Sequence, residues 1–166
     1  MDTTADRLDA AGAALVALRP ELEAGEPWPL SAAYGTEPEA EWGPREVLAH
    51  VDEMLGYWTA ELERVVAGEG RAPVPFGRTA SDPDRLACIE RDRGRLVGGL
   101  LDEIDAGIRA AASFARRLSG DDLARVGAHP TRGELTVAAS LDRFLTTHLE
   151  EHVAQVRSIL ADVESR

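Results

Sequence analysis

The chain has 166 residues, enough for one domain with a real core and too few for two comfortable ones. A formal net charge of −12, with no cluster of Lys or Arg to override it, argues against nucleic acid or an anionic membrane as a partner. Aromatic residues are only 5% of the chain, and Ala, Leu, Glu and Arg dominate, a set that loses little side-chain freedom in helices. No stretch alternates apolar and polar residues long enough to suggest a half-buried strand, so the expected class is all-α, one domain over 1–166.

The first helix is predicted from about Thr4 to Ala24, with Leu8, Ala11, Leu15, Leu18 and Leu22 at helical spacing. Pro20 interrupts that pattern and should end or kink the helix near Arg19. A linker rich in Pro, Gly and Glu follows, from Gly25 to Gly43. The second helix has the clearest start: Gly43 as N-cap, Pro44 at the first position and Glu46 in the first turn. Its apolar stripe reads Val47, Val51, Met54, Trp58, Leu62 and Val65, and Gly68, Gly70, Pro73, Pro75 and Gly77 end it in a loop.

A third helix opens at Ser81 or Asp82, ahead of Pro83, and runs to about Leu118. Gly94, Gly98, Gly99 and Gly107 weaken it, which leaves room for a break or a kink there. Ser119 to Glu134 reads as a connection containing Gly120, Gly127, Pro130 and Gly133. The fourth helix spans Leu135 to about Val163. Its stripe of Leu141, Leu145, His148, His152, Val156, Ile159 and Val163 advances in steps of four and three, the spacing of a bundle seam.

His148 and His152, four residues apart, project from one helix face and can share one ion. Neutral imidazole suits zinc, nickel, iron or copper alike. The spacing alone is equally compatible with two hydrogen-bonded core histidines. His50 shifts the balance: it lies on the second helix, beside the apolar stripe and in line with Glu46, Glu53 and Tyr57. Three histidines from two helices would leave coordination positions for water or substrate, as catalytic sites do. Glu46 or Glu53 could accept the second N–H of a ligating ring, although each also fits a solvated helix face.

Further candidates are Glu53 and His129 as general bases, the latter in a Gly-Ala-His-Pro turn that also suits an exposed loop histidine. Arg93 is a candidate to hold a substrate carboxylate, or else an arginine paired with Glu90. Tyr57 is a candidate donor to the site, or else a core aromatic. Cys88 stands alone, so the chain forms no internal disulfide and offers no cysteine zinc site. The start MDTTADRLDA lacks the basic segment of a signal peptide, and Ala10–Leu18 is too short to span a bilayer, so a cytoplasmic setting is expected. There is no G-x-S-x-G, no phosphate-binding Gly-rich loop and no H-E-x-x-H. No histidine has a glutamate three residues before it, which favours one metal over a di-iron centre.

The stretch EWGPREVLAHVDEM, Glu41 to Met54, resembles the W-x-P-x-E-x-x-x-H segment of the DinB/YfiT-like superfamily. GELTVAASLDRFLTTHLEEHVAQV, Gly133 to Val156, resembles its last helix, with H-x-x-x-H and the following Ala-Gln. The connection LARVGAHPTRGELT is similar to the segment before that helix. Gly43 departs from the Ser or Thr common at the cap, and Glu151 from a histidine many relatives carry.

The resemblance implies a four-helix bundle, often dimeric, holding one divalent metal, zinc or nickel, with His50, His148 and His152. It further implies a thiol-dependent transferase or isomerase that uses a low-molecular-weight thiol on a small-molecule substrate. A metal-dependent hydrolase and a non-enzymatic metal-binding or stress-response bundle are the competing readings, with an inert bundle of core histidines behind them.

Overall fold

The computed structural model describes residues 3–31, 39–68 and 73–164; residues 32–38 of the linker and Gly70 of the following loop lie outside these. The predicted first helix is two. In α1 (Thr4–Val16) a capping box opens the helix: Thr3 accepts the Asp6 amide at 3.2 Å and Asp6 accepts the Thr3 amide at 3.0 Å. α2 (Arg19–Ala24) follows after a break at Ala17 and Leu18. Pro20 has no N–H for the Val16 carbonyl and instead takes a position in the first turn of α2, where none is needed.

α3 (Pro44–Ala67) begins at the predicted cap and buries the predicted stripe from Val47 to Val65, with Leu48 and Leu55 beside it. The predicted third helix is split into α4 (Pro83–Asp92) and α5 (Val97–Arg117), broken around Gly94; Gly98, Gly99 and Gly107 lie within α5. A Cβ on Gly107 would sit 3.3 Å from that of Leu55, so this glycine lets α5 approach α3 closely.

The connection from Ser119 to Glu134 is more ordered than its sequence suggests. It holds α6 (Gly120–Ala124), capped by Ser119 and Asp122, then β2 (Val126–His129) and the start of β3 (Gly133–Thr136). β2 pairs antiparallel with β3, Val126 opposite Thr136, and parallel with the two-residue β1 (Val74–Pro75). The strands have two to four residues, too short to show an alternating pattern. The all-α expectation therefore holds for most of the chain, with a small three-stranded sheet, in the order β1-β2-β3, added to it.

The last helix starts at Val137 rather than Leu135, with Thr136 as its cap. α7 (Val137–Ser140) passes into a π-helical segment, Leu141–Thr147, and then α8 (His148–Glu164). The wider winding rotates the buried face relative to a regular helix. Beyond Leu145 the core positions are Leu149, Val153 and Val156, while Ile159 is only half-buried and Val163 is 51% exposed. His148 and His152 are thus displaced from the apolar stripe to its flank, the correction that matters most for function.

α5 packs against α1 and α3, and the C-terminal helix with its π segment packs against the same two. α2 lies on α5, and α4 on α3. Among the described residues no helix is long and apolar enough to cross a membrane.

The Glu26 carboxylate fastens the linker to this frame. It accepts the amides of Trp28 (3.1 Å) and Val97 (2.9 Å) and pairs with Arg45 at 2.8 Å, so it also caps the otherwise uncapped start of α5. Burial opposes its charge, but Arg45 and the two amides hold the carboxyl below its usual 4.5. A lowered folded-state value means that the ionised form stabilises the fold, fully above pH 4.5 and progressively less as pH falls through the lowered value. Glu26→Gln is expected to cost about 1–2 kcal/mol at pH 7. Urea unfolding should show that difference shrinking as pH falls below 4.5; a constant difference would mean that the charge contributes nothing.

Candidate metal centre

α3 and α8 bring His50, His148 and His152 together, as the histidine spacing requires if they share an ion. The Nε2 atoms of His50 and His148 lie 3.0 Å apart, as do those of His152 and His148. His50 and His152 are buried and His148 half-buried. A fourth group joins them from a single 3₁₀ turn, Glu39–Glu41, ahead of α3. The Glu39 carboxylate lies 3.6 Å from each of the three Nε2 atoms, and the four residues form one possible ligand set.

The hydrogen bonds behind the rings decide which nitrogen faces inward. Gln155 donates its amide N–H to the Glu39 carbonyl at 2.6 Å, which leaves its Oε1 to accept from His152 Nδ1 at 2.9 Å. His152 therefore carries its proton on Nδ1 and presents a bare Nε2. His50 Nδ1 is buried without a hydrogen bond and faces Glu53 Oε2, itself unsatisfied, at 3.6 Å. That alignment puts the His50 proton on the carboxylate side and its Nε2 lone pair inward.

His148 Nε2 can give a full hydrogen bond to only one of these two bare nitrogens. A cation among the three satisfies both. With imidazole nitrogens about 2.1 Å from a metal, a spacing of about 3.0 Å corresponds to ligands at roughly right angles. The residues present therefore fit a divalent ion.

The electrostatics agree. Burial, reinforced by the neighbouring histidines and Arg85, pushes the imidazoles toward the neutral form: His50 well below the usual range and His148 to about 4. Burial opposes the charge of Glu39, but Arg85, in direct ion pair with it, favours the ionised carboxylate beside the neutral rings. Neutral rings and an ionised carboxylate are the protonation states that metal binding needs. Arg85, buried and bonded to the Ala80 carbonyl at 2.9 Å, holds the Glu39 carboxylate by a direct ion pair.

His50, His148 and Glu39 also line a cavity of about 660 Å³, whose walls include Trp58, Arg78, His129, Arg132, Arg143 and Phe144. The other predicted residues fall into different places. Glu53 does not line this cavity; burial raises its carboxyl while Arg78, in direct ion pair with it, opposes that shift. It stands behind His50, 3.6 Å from its Nδ1. His129 borders the cavity but is only 6% exposed, its ring stacked near-parallel to Phe144 at 5.3 Å and its Nδ1 accepting the Thr131 amide. It is buried rather than an exposed loop histidine, and it forms part of an aromatic wall with its Nε2 left without a hydrogen-bond partner.

Arg93 is remote from the centre. It bonds Glu46 at 3.0 Å, Glu90 at 2.7 Å and the Ser31 carbonyl at 3.1 Å, so it ties the linker down, and it does not line the cavity. Glu46, fully buried in that clamp, does not orient a histidine. Tyr57 lies under the Arg78 guanidinium, 3.6 Å from its ring centre, and burial with nearby Glu61 raises its phenol to about 12. It supports Arg78 and does not line the cavity.

Glu39, Gln155, Arg85 and Arg78 were not foreseen as site residues. Gln155 carried a signal, since it stands three residues beyond His152 on the same helix face. Gln155→Leu is expected to weaken zinc binding by about 10- to 100-fold while leaving one site per chain. Competition with a chromophoric chelator reads this, and unchanged affinity would remove the role assigned to the amide.

Neither the curated proteins nor the solved structures contain a match to this chain. The family model of the DinB superfamily, however, matches residues 3–156, a span that takes in all four members of the centre, α3 and the first half of α8. The chain belongs to the DinB superfamily.

Proposed function

We propose that the protein is a metal-dependent enzyme acting on a small molecule, of the thiol-dependent transferase or isomerase type. The observation that carries this reading is the convergence of three imidazole nitrogens and one ionised carboxylate beside a cavity of small-molecule size. Zinc or nickel fits the nitrogen-rich donor set. The packing of α1, α3, α5 and the C-terminal helix around one core is consistent with the family's four-helix bundle. A cytoplasmic homodimer completes the reading, as the family implies.

A divalent metal bound there supplies a lowered pKa for a thiol or water and so a nucleophile at neutral pH. The chain's own residues prepare the place for it. Gln155 fixes the His152 tautomer, Glu53 faces the His50 Nδ1 proton, and Arg85 keeps Glu39 ionised and aimed at the three rings. The neutral state of His50 and His148 keeps both nitrogens free as donors to a metal.

The test is consumption of glutathione, bacillithiol or mycothiol by zinc- or nickel-loaded protein in the presence of an electrophilic bimane. Turnover that disappears in His148→Ala supports the reading. Metal-loaded protein that consumes none of the three thiols contradicts the transferase assignment, and hydrolysis of ester probes by the same sample would replace it with a hydrolase.

A further inference from the structure

All eighteen basic side chains of this acidic protein are arginines, and nearly all the described ones are spoken for by carboxylates. Arg78 and Arg85 on the cavity wall are such cases, held by Glu53 and Glu39. Arg132 and Arg143 are not. Among the described residues neither has a carboxylate within ion-pair distance, and both line the cavity beside the metal centre. Arg132 comes from the turn between β2 and β3, and Arg143 from the π segment one residue before Phe144. In a chain of net charge −12, two cations without a carboxylate partner on the wall of one cavity favour an anion there.

The wall beside them is a stack of aromatic rings. Phe144 stacks on Trp58 with ring centres 4.2 Å apart and planes within 8°, and His129 continues the slab at 5.3 Å and 14°. The Arg132 guanidinium stands 6.0 Å above the Phe144 ring, whereas Arg78 is in closed contact with Tyr57 at 3.6 Å. Arg132 thus hangs over an aromatic face without touching it.

We propose that the cavity takes a small monocarboxylate with a flat apolar body, its carboxylate held by Arg132 and Arg143 and its ring laid against Phe144. This assignment rests on the reading of the cavity as the substrate site of a metal enzyme. The planar guanidinium fork matches a carboxylate. Glu39 and Glu151 on the same wall disfavour a dianion such as a phosphate monoester.

The test uses the full chain, metal-free and zinc-loaded, with three probes: 1-naphthoate, its neutral isostere 1-naphthamide, and 1-naphthyl phosphate. Binding is followed by calorimetry. Both arginines are exposed and unpaired, so Arg132→Gln and Arg143→Gln should cost the fold little. Naphthoate is expected to bind about tenfold tighter than naphthamide in both metal states, and the double variant should lose that margin while still taking up one zinc.

Equal affinity for naphthoate and naphthamide overturns the proposal. So does a preference that survives the double variant, or one that requires zinc and ignores the arginines, since the metal would then hold the carboxylate. Tighter binding of the phosphate overturns the monoanion assignment. Arginine-dependent naphthoate binding in a protein that refuses zinc would support this subsite and sink the metal-enzyme reading. One zinc per chain with no preference among the probes would do the reverse.

Discussion

His152→Ala is expected to weaken zinc binding by about a thousandfold or more and to leave the fold standing. Loss of a residue that only orients a ligand costs roughly 10- to 100-fold in affinity, and loss of a ligand itself must exceed that. His152 is buried, yet it belongs to a polar cluster and not to the apolar stripe, whose α8 members are Leu149, Val153 and Val156. Removing the imidazole also removes one of the crowded Nε2 contacts at 3.0 Å. Metal-free variant and metal-free wild type should therefore have similar denaturant midpoints. With free zinc at about a thousand times its dissociation constant, the wild type should gain about 4 kcal/mol by mass action. The variant should gain almost nothing. A variant that unfolds without metal, or that gains as much from zinc as the wild type, would show that His152 is a core histidine.

The second large effect lies outside the site. Glu46→Ala should destabilise the protein by about 3 kcal/mol, because removing one partner of a buried ion pair leaves the other uncompensated. The Glu46 side chain is fully buried, and its carboxylate accepts from the Ser31 amide (2.9 Å), the Ser31 hydroxyl (3.1 Å) and Arg93 (3.0 Å). Arg93 can retain Glu90, which keeps the cost toward the lower end of the range for buried pairs. In a double-mutant cycle, Arg93→Ala on top of Glu46→Ala should cost less than the sum of the two single changes. Additive changes, or a loss under 0.5 kcal/mol for Glu46→Ala, would mean that the clamp contributes little. The clamp matters to the site because Ser31 and Glu39 belong to the same linker.

Where a segment's structure follows from local chemistry, the sequence shows it. Gly43-Pro44 and the stripe from Val47 to Val65 mark α3 almost to the residue, and Pro20 marks the α1–α2 break. The three histidines were visible from the pairing of His148 with His152 and from His50 on a second helix, supported by the family resemblance. Glu39 was not. It is one of several glutamates in a Pro- and Gly-rich linker, and nothing in its neighbours marks it as the one that Arg85 and Gln155 draw onto the histidines.

The π segment was equally hidden, because the stripe from Leu141 to Val163 fits a regular helix and the wider winding is a tertiary outcome. His129 misled for a related reason. A Gly-Ala-His-Pro turn reads as exposed, and tertiary packing among Trp58, Phe76 and Phe144 buries it. Arg93 lay on a plausible inward line, but the break at Gly94 turned it toward Glu46 and the linker.

The central claim, a mononuclear divalent metal held by His50, His148 and His152, is tested most directly by elemental analysis of untagged protein beside the three His→Ala variants. The account predicts about one equivalent of a transition metal per chain in the wild type and its loss in each variant. Wild-type protein that is purified without metal and also refuses added zinc and nickel would contradict it.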